Sequence, residues 1–183
     1  MDALSLLLNR HSQPRLVAPA PEGEALENIL QAALRAPDHG MLTPWRYVVC
    51  RGEGLTRLGE VYAQAAQQGD YTERDISRAP TLPLRAPMVI VAISSYTEHQ
   101  KVPWVEQVAS AACGVHAMQL AALAQGYAGI WRTGPYARDP LVKAAFDLRD
   151  EDEIVGFLYL GTAEYETSAK PARNIADFVS FWQ

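Results

Sequence analysis

The chain has 183 residues, of which 49% are apolar and 20% charged, and its formal net charge is −5 at neutral pH. That composition suits a folded domain with a substantial core and excludes the charge-heavy, apolar-poor segments that leave a chain disordered. It also argues against nucleic acid as a partner, because such binders need a positive face to displace counterions from phosphates. Any anionic ligand must therefore meet a local basic cluster. Cys50 and Cys113 lie far apart with no C-x-x-C spacing, which predicts reduced thiols rather than a disulfide framework. The opening MDALSLLLNR puts an acid at position 2 and lacks the basic region, long apolar run and small-residue cleavage site of a signal peptide, so a cytoplasmic protein is expected.

Taken in chain order, Asp2 can cap a short helix over about residues 3–9, with Leu4, Leu7 and Leu8 at helical spacing and Pro14 beyond it. A second helix over about 24–35 carries Leu26, Ile29, Leu30, Ala33 and Leu34 on one stripe, and Pro37 disfavours helix at Ala36. RYVVC (46–50) reads as a strand and about 54–68 as a helix. MVIVAI (88–93), a short continuous apolar run after Pro87, reads as a strand covered on both faces. From Trp104 a long helix runs to Gly126, which suits a left-handed C-cap. The stretch Val108–Trp131 has no formally charged side chain, yet its alanines, glycines and glutamines are too weakly apolar for a lone helix in lipid, so a helix buried in protein is expected and no membrane is involved. GIW (129–131) is a brief strand, 139–147 a short helix and IVGFLYLG (154–161) a strong strand. The pattern predicts an α+β or α/β fold in which a mixed or antiparallel sheet is flanked by helices. No repeat or linker divides the chain, so a single domain over 1–183 is the default. Beyond Gly161 the chain has little periodicity and would be loose unless it packs on a neighbouring subunit.

Four clusters could carry chemistry. Arg10, His11 and Ser12 follow the first helix; arginine offers a fixed fork of donors and serine a short hydroxyl, and on an irregular turn the two can converge on one phosphate. A solvated helix end whose arginine complements the helix dipole explains the segment alone at least as well. In LRAPDHGMLTPW (34–45), Arg35 stands at the foot of a helix, with Asp38, His39 and Gly40 in the turn after it; there Asp38 could simply cap the turn and His39 face water. In GIWRTGP (129–135) a strand end and glycine turn can offer backbone N–H groups to a planar ligand, while Trp131 fills core. Lys170 and Arg173 form a basic pair in the tail and by themselves count as surface charge. The four histidines have no zinc-like spacing, so no metal is expected; G-x-S-x-G, G-x-x-x-x-G-K-[ST] and G-x-G-x-x-G are absent, and DLRDEDE (147–153) lacks the ligand order of a calcium loop.

Together, MDALSLLLNRHS, ILQAALRAPDHGMLTPWRYVV, KVPWVEQ, AQGYAGIWRTG and IVGFLYLGT, in that order and spacing, resemble the nitroreductase family of flavoproteins, in particular its minimal members. The resemblance covers essentially the whole chain. It implies an α+β fold in an obligate, intertwined homodimer with FMN at the subunit interface, and a tail that wraps the partner. It assigns Ala109, Ala111, Ala112, Gly114, Ala117 and Ala121 to close approach of helices across the two-fold. It places Arg10, His11 and Ser12 at the flavin phosphate and ribityl chain, with Arg35 and His39 meeting the same flavin from the other subunit. Trp131, Arg132 and Thr133 would border the isoalloxazine, and Lys170 and Arg173 would close on phosphate.

Two departures stand out. Met41-Leu42-Thr43-Pro44-Trp45 replaces the frequent N-x-Q-P-W, and Pro14 stands where larger members carry a lysine. Arg15 or Arg35 is then the candidate cation near the flavin N1 and O2 edge. The activity implied is hydride transfer from NADH or NADPH through FMN to nitroaromatic or quinone-like acceptors in a ping-pong cycle, with no protein nucleophile. Another flavoenzyme reaction on the same scaffold, dehalogenation or flavin fragmentation, and a non-catalytic flavin or small-molecule carrier are the rivals.

Overall fold

The computed structural model describes residues 2–165 and 171–182. Helix α1 (Ala3–Asn9) has the expected bounds, and the Asp2 carboxylate accepts from the main-chain N–H groups of Leu4 and Ser5 at 3.1 and 3.0 Å. No residue of α1 is buried: Leu4, Leu7 and Leu8 are 63%, 53% and 75% exposed, although their spacing is that of an apolar stripe. A two-residue strand β1 (Leu16–Val17), too short to leave a periodic signal, precedes α2 (Gly23–Ala33).

The sheet is completed by β2 (Trp45–Arg51), β3 (Met88–Ser94), β4 (Ala128–Arg132) and β5 (Glu153–Ala163). Every ladder is antiparallel: β5 pairs β3 on one side and both β4 and β1 on the other, and β2 lies beyond β3. Strand β3 is buried along its whole length, as its unbroken apolar run predicts. Successive side chains on a strand alternate between faces. Met88, Ile90 and Ala92 therefore join Ile29, Val115 and Met118 under α2 and α5 (Trp104–Ala124). Val89, Val91 and Ile93 join Leu58, Tyr62 and Val142 under α3 (Glu53–Gln68) and α6 (Pro140–Ala145). A short α4 (Glu73–Arg78), unforeseen in the sequence, follows α3.

Helix α5 ends as its sequence foretells. Gly126 has φ of 84°, Tyr127 N–H donates to the Ala122 carbonyl at 3.0 Å and Gly126 N–H to that of Leu123 at 3.0 Å, the double bond of a Schellman cap. This helix is long and apolar enough to cross a membrane by length and composition, but it lies between α2 and the sheet, with 44% of its apolar window buried. The structure corrects part of the expectation for its small residues. Ala111 and Gly114 face this chain's own interior, and a Cβ on Gly114 would collide with the Tyr47 hydroxyl and come within 3.3 Å of the Ala33 carbonyl. Ala109, Cys113 and His116 face outward in the middle of the helix, and Trp104, Val105 and Glu106 are exposed at its start.

The tail differs from expectation at its start: β5 continues past Gly161 to Ala163, because β1 pairs with Thr162 and Ala163. Further on, residues 171–182 are exposed, including Phe178, Phe181 and Trp182.

Candidate active site

Arg10 to Gln13 leave α1 and run beside the outer edge of β4. Gln13 N–H donates to the Gly129 carbonyl at 3.0 Å, and the buried Gln119 side chain of α5 donates Nε2 to the same oxygen at 3.1 Å. Since main-chain groups of alternate residues point to the same side of a strand, those of Trp131 also face this edge, and Thr133 follows at the strand's end. Ile130 and Arg132 point theirs inward, opposite Tyr159 and Phe157 of β5. An edge of this kind can meet a planar ligand with donors and acceptors along its rim.

Arg10 is half-buried and, among the described residues, reaches only Gln119 Oε1, at a long 3.4 Å. His11 Nδ1 lies 3.0 Å from the Asn9 carbonyl. Ser12, also half-buried, precedes the buried Gln13, whose Nε2 donates to the Tyr165 carbonyl at 2.9 Å and ties the segment to the end of β5. The main chain is thus clamped while the Arg10 guanidinium keeps most of its donors unused.

At the other end of β4 the Trp131 indole packs with the α5-side core and donates to the Val155 carbonyl at 3.2 Å. This position demands Gly156, which has φ of 154° and where a Cβ would collide with the indole Nε1. Gly156→Ala should lower stability by about 2–4 kcal/mol from backbone strain plus overpacking; a urea midpoint within error of wild type would show that Trp131 moves aside freely.

Arg132 turns to the opposite face, with its guanidinium 5.7 Å from the Tyr159 ring centre and its Nε buried without a hydrogen-bond partner among the described residues. Two cavities meet here. One, of about 460 Å³, is lined by Arg15, Arg85, Arg132 and Glu164 among others; the second, of about 580 Å³, by Arg78, Arg85, Arg132, Thr133 and Gly134 together with Tyr62, Tyr71, Tyr136 and Tyr159. Among the described residues, none of Arg10, Arg15, Arg78, Arg85 and Arg132 forms an ion pair with a carboxylate. Burial pushes the Tyr159 phenol up to about 12, against the pull of Arg132 and Arg85, so it stays a neutral donor.

Arg35 and His39 are elsewhere. His39 Nδ1 lies 2.7 Å from Glu106 Oε2 near the start of α5, both side chains being about half exposed, and the Arg35 side chain is exposed. Glu106 and Gln119 are thirteen residues apart on α5, so His39 and Arg10 sit about 20 Å apart along it. One chain does not bring these clusters together. Asp38 does cap its turn: its carboxylate accepts from the N–H groups of Leu42 and Thr43 at 3.1 and 2.8 Å, holding Met41 and Thr43 at φ of 53° and 48°. Asp38→Ala should therefore cost about 1–2 kcal/mol, read as a drop in melting temperature, whereas an unchanged value would mean the turn holds itself. Arg173 is exposed, its guanidinium 5.7 Å from the Phe178 ring centre, and Lys170 lies outside the described residues.

The Nitroreductase family model matches residues 7–162. The chain belongs to the nitroreductase family. It is 49% identical over 181 residues to YdjA of Escherichia coli K12, a protein named as an NAD(P)H nitroreductase, covering 99% of this chain and 98% of that one. Among solved structures, a nitroreductase-like family protein of Bacillus cereus superposes with a TM-score of 0.86 at 23% identity, covering 100% of this chain and 97% of that one. A nitroreductase of Bacteroides fragilis with bound FMN gives 0.76 at 21% identity, covering 98% of each chain. These likenesses establish the nitroreductase fold for the sheet and helices above.

Reading the sequence by itself missed Arg78, Arg85, Gln13 and Gln119. The glutamines are uncharged residues in segments of ordinary composition. The arginines fall in SRAPTLPLRAP, whose prolines mark a loop, and only the fold turns that loop toward β4.

Proposed function

We propose that this chain, as a single domain over residues 1–183, is a cytoplasmic FMN-dependent oxidoreductase. In this reading it works as a homodimer and takes electrons from NADH or NADPH to nitroaromatic or quinone-like acceptors in a ping-pong cycle. The observation that carries the reading is the outer edge of β4, clamped beside the Arg10–Ser12 segment, with the guanidiniums of Arg10 and Arg15 at hand. Those residues fit FMN: a guanidinium with spare donors and a hydroxyl suit a phosphate, and main-chain groups on a strand edge suit a heteroaromatic rim. The names of YdjA and of the FMN-bound Bacteroides fragilis protein support the same assignment.

In this reading Arg10 and Ser12 hold the phosphate and His11 lies by the ribityl chain. The main-chain groups of Trp131 and Thr133 orient the ring, Arg132 lies between them with its guanidinium in the adjoining cavities, and Lys170 and Arg173 add charge from the tail. When bound, FMN supplies hydride and electron transfer, so the protein needs no nucleophile. Arg15, in the cavity that Arg132 shares, places positive charge where the reduced ring is negative. The distance between Arg10 and His39 within one chain supports a second copy that brings its own Arg35 and His39 to the flavin. The apolar side chains left uncovered on α1, with Val105 of α5 61% exposed, give that copy a surface to bury.

Purified protein should be yellow, and NADH or NADPH should bleach it under exclusion of air. Colourless protein that does not take up added FMN would overturn the assignment; a yellow protein that neither nicotinamide bleaches would be a carrier.

A further inference from the structure

The cavity of about 580 Å³ between α3, α4 and the end of β4 is larger in its demands than a flavin edge explains. Its wall is aromatic: the Tyr62 and Tyr136 rings stack at 4.2 Å and 8°, and the Tyr71 ring lies near-parallel to that of Tyr136 at 5.3 Å and 15°. Tyr62 is 2% and Tyr136 6% exposed, yet neither hydroxyl has a hydrogen-bond partner among the described residues, and the buried Nε of Arg132 has none either. The parallel tyrosine rings give the cavity a flat apolar side, which suits a planar ring as its ligand.

Charge narrows its class. Arg78, Arg85 and Arg132 line the cavity, and among the described lining residues Asp75 is the one carboxylate, accepting from the Thr72 hydroxyl at 2.7 Å and from none of these arginines; Asp139, outside the lining, accepts from the Tyr71 hydroxyl at 3.3 Å. The guanidiniums are near enough that, after burial, Arg78 and Arg132 are the causes that lower the pKa of Arg85. Like charges crowd this way at a cost that an anion relieves. Guanidinium forks match the planar geometry of a carboxylate, and the volume suits one small ring.

We propose that this cavity binds a small aromatic carboxylate: the ring against Tyr71 and Tyr136, the carboxylate on Arg85 with Arg78 or Arg132. As the electron-acceptor site it rests on the flavin reading above, because it opens at Thr133 and Gly134 beside the proposed isoalloxazine; as an anion site it stands apart from that reading.

The test compares 4-nitrobenzoate with nitrobenzene by calorimetric titration of the protein as purified, with flavin content measured by absorbance on the same sample. The carboxylate should bind at least about tenfold more tightly, as one charge-assisted hydrogen bond requires. Arg85→Gln should reduce that preference to less than about threefold without changing flavin content, and Arg78→Gln gives a second reading should the first variant fold poorly. Equal affinity of the two compounds for the wild type, or a preference that survives both substitutions, overturns the proposal. If the protein carries no flavin while the preference is present, the flavin reading fails and the anion site stands.

Discussion

Replacing Arg10 and Ser12 together by alanine should yield folded protein without FMN. Each charge-assisted hydrogen bond to phosphate contributes roughly 1.5–3 kcal/mol, so removing a guanidinium and a hydroxyl should weaken flavin binding by about a hundredfold or more. The fold should survive, because the side chain of Arg10 gives the protein one long bond to Gln119 while Gln13 and Gly129 hold the segment through the main chain. Flavin absorbance and circular dichroism on one preparation separate the two outcomes. Full occupancy in the double variant would place the phosphate elsewhere.

Complementation between two defective chains should restore flavin binding. Arg10→Ala/Ser12→Ala damages the cluster beside β4, and Arg35→Ala/His39→Ala the cluster at the start of α5, about 20 Å away along that helix in the same chain. If each flavin draws one cluster from each subunit, either variant alone has two broken sites per dimer. A mixed dimer then has one site with both clusters intact and one with neither, so random pairing gives intact sites at about a quarter of the wild-type number. Co-expression of the two variants, followed by flavin quantification, measures this directly. No recovery in mixed dimers, or bound flavin in a chain shown to be monomeric, would mean that a single copy completes the site.

Much of the architecture was legible because it depends on neighbours in sequence. The Asp2 cap, the stripe of α2, the Gly126 terminus of α5 and the unbroken apolar run of β3 each declare themselves within a few residues, and the structure has them, except that α2 ends at Ala33 and leaves Leu34 of the expected stripe 47% exposed. The elements that escaped were β1, whose two residues are too few to show a period, and α4, whose six-residue run ERDISR is polar. The continuation of β5 to Ala163 was hidden for the same reason, since only its pairing with β1 makes Thr162 and Ala163 a strand. Gly114 shows the limit of composition. A small residue in a helix says that something comes close, but not whether it is another subunit or, as here, Tyr47 and Ala33 of the same chain.

The candidate site divides along the same line. By its own order of residues the sequence determined the periodic helices and strands, the caps that end them, and, through the likeness of its segments to one family, the Arg10–Ser12 and Trp131–Thr133 stretches as the places to look. The tertiary structure alone decided which edge of β4 is free of a strand partner among the described residues, that Arg10 and His39 stand at opposite ends of α5, and that Arg15, Arg78, Arg85 and Arg132 gather around adjoining cavities. Periodicity and capping are set over a turn or two of chain, whereas the meeting of a loop at 78–85 with a strand end at 132 comes from packing between elements distant in sequence, and no local spacing records it.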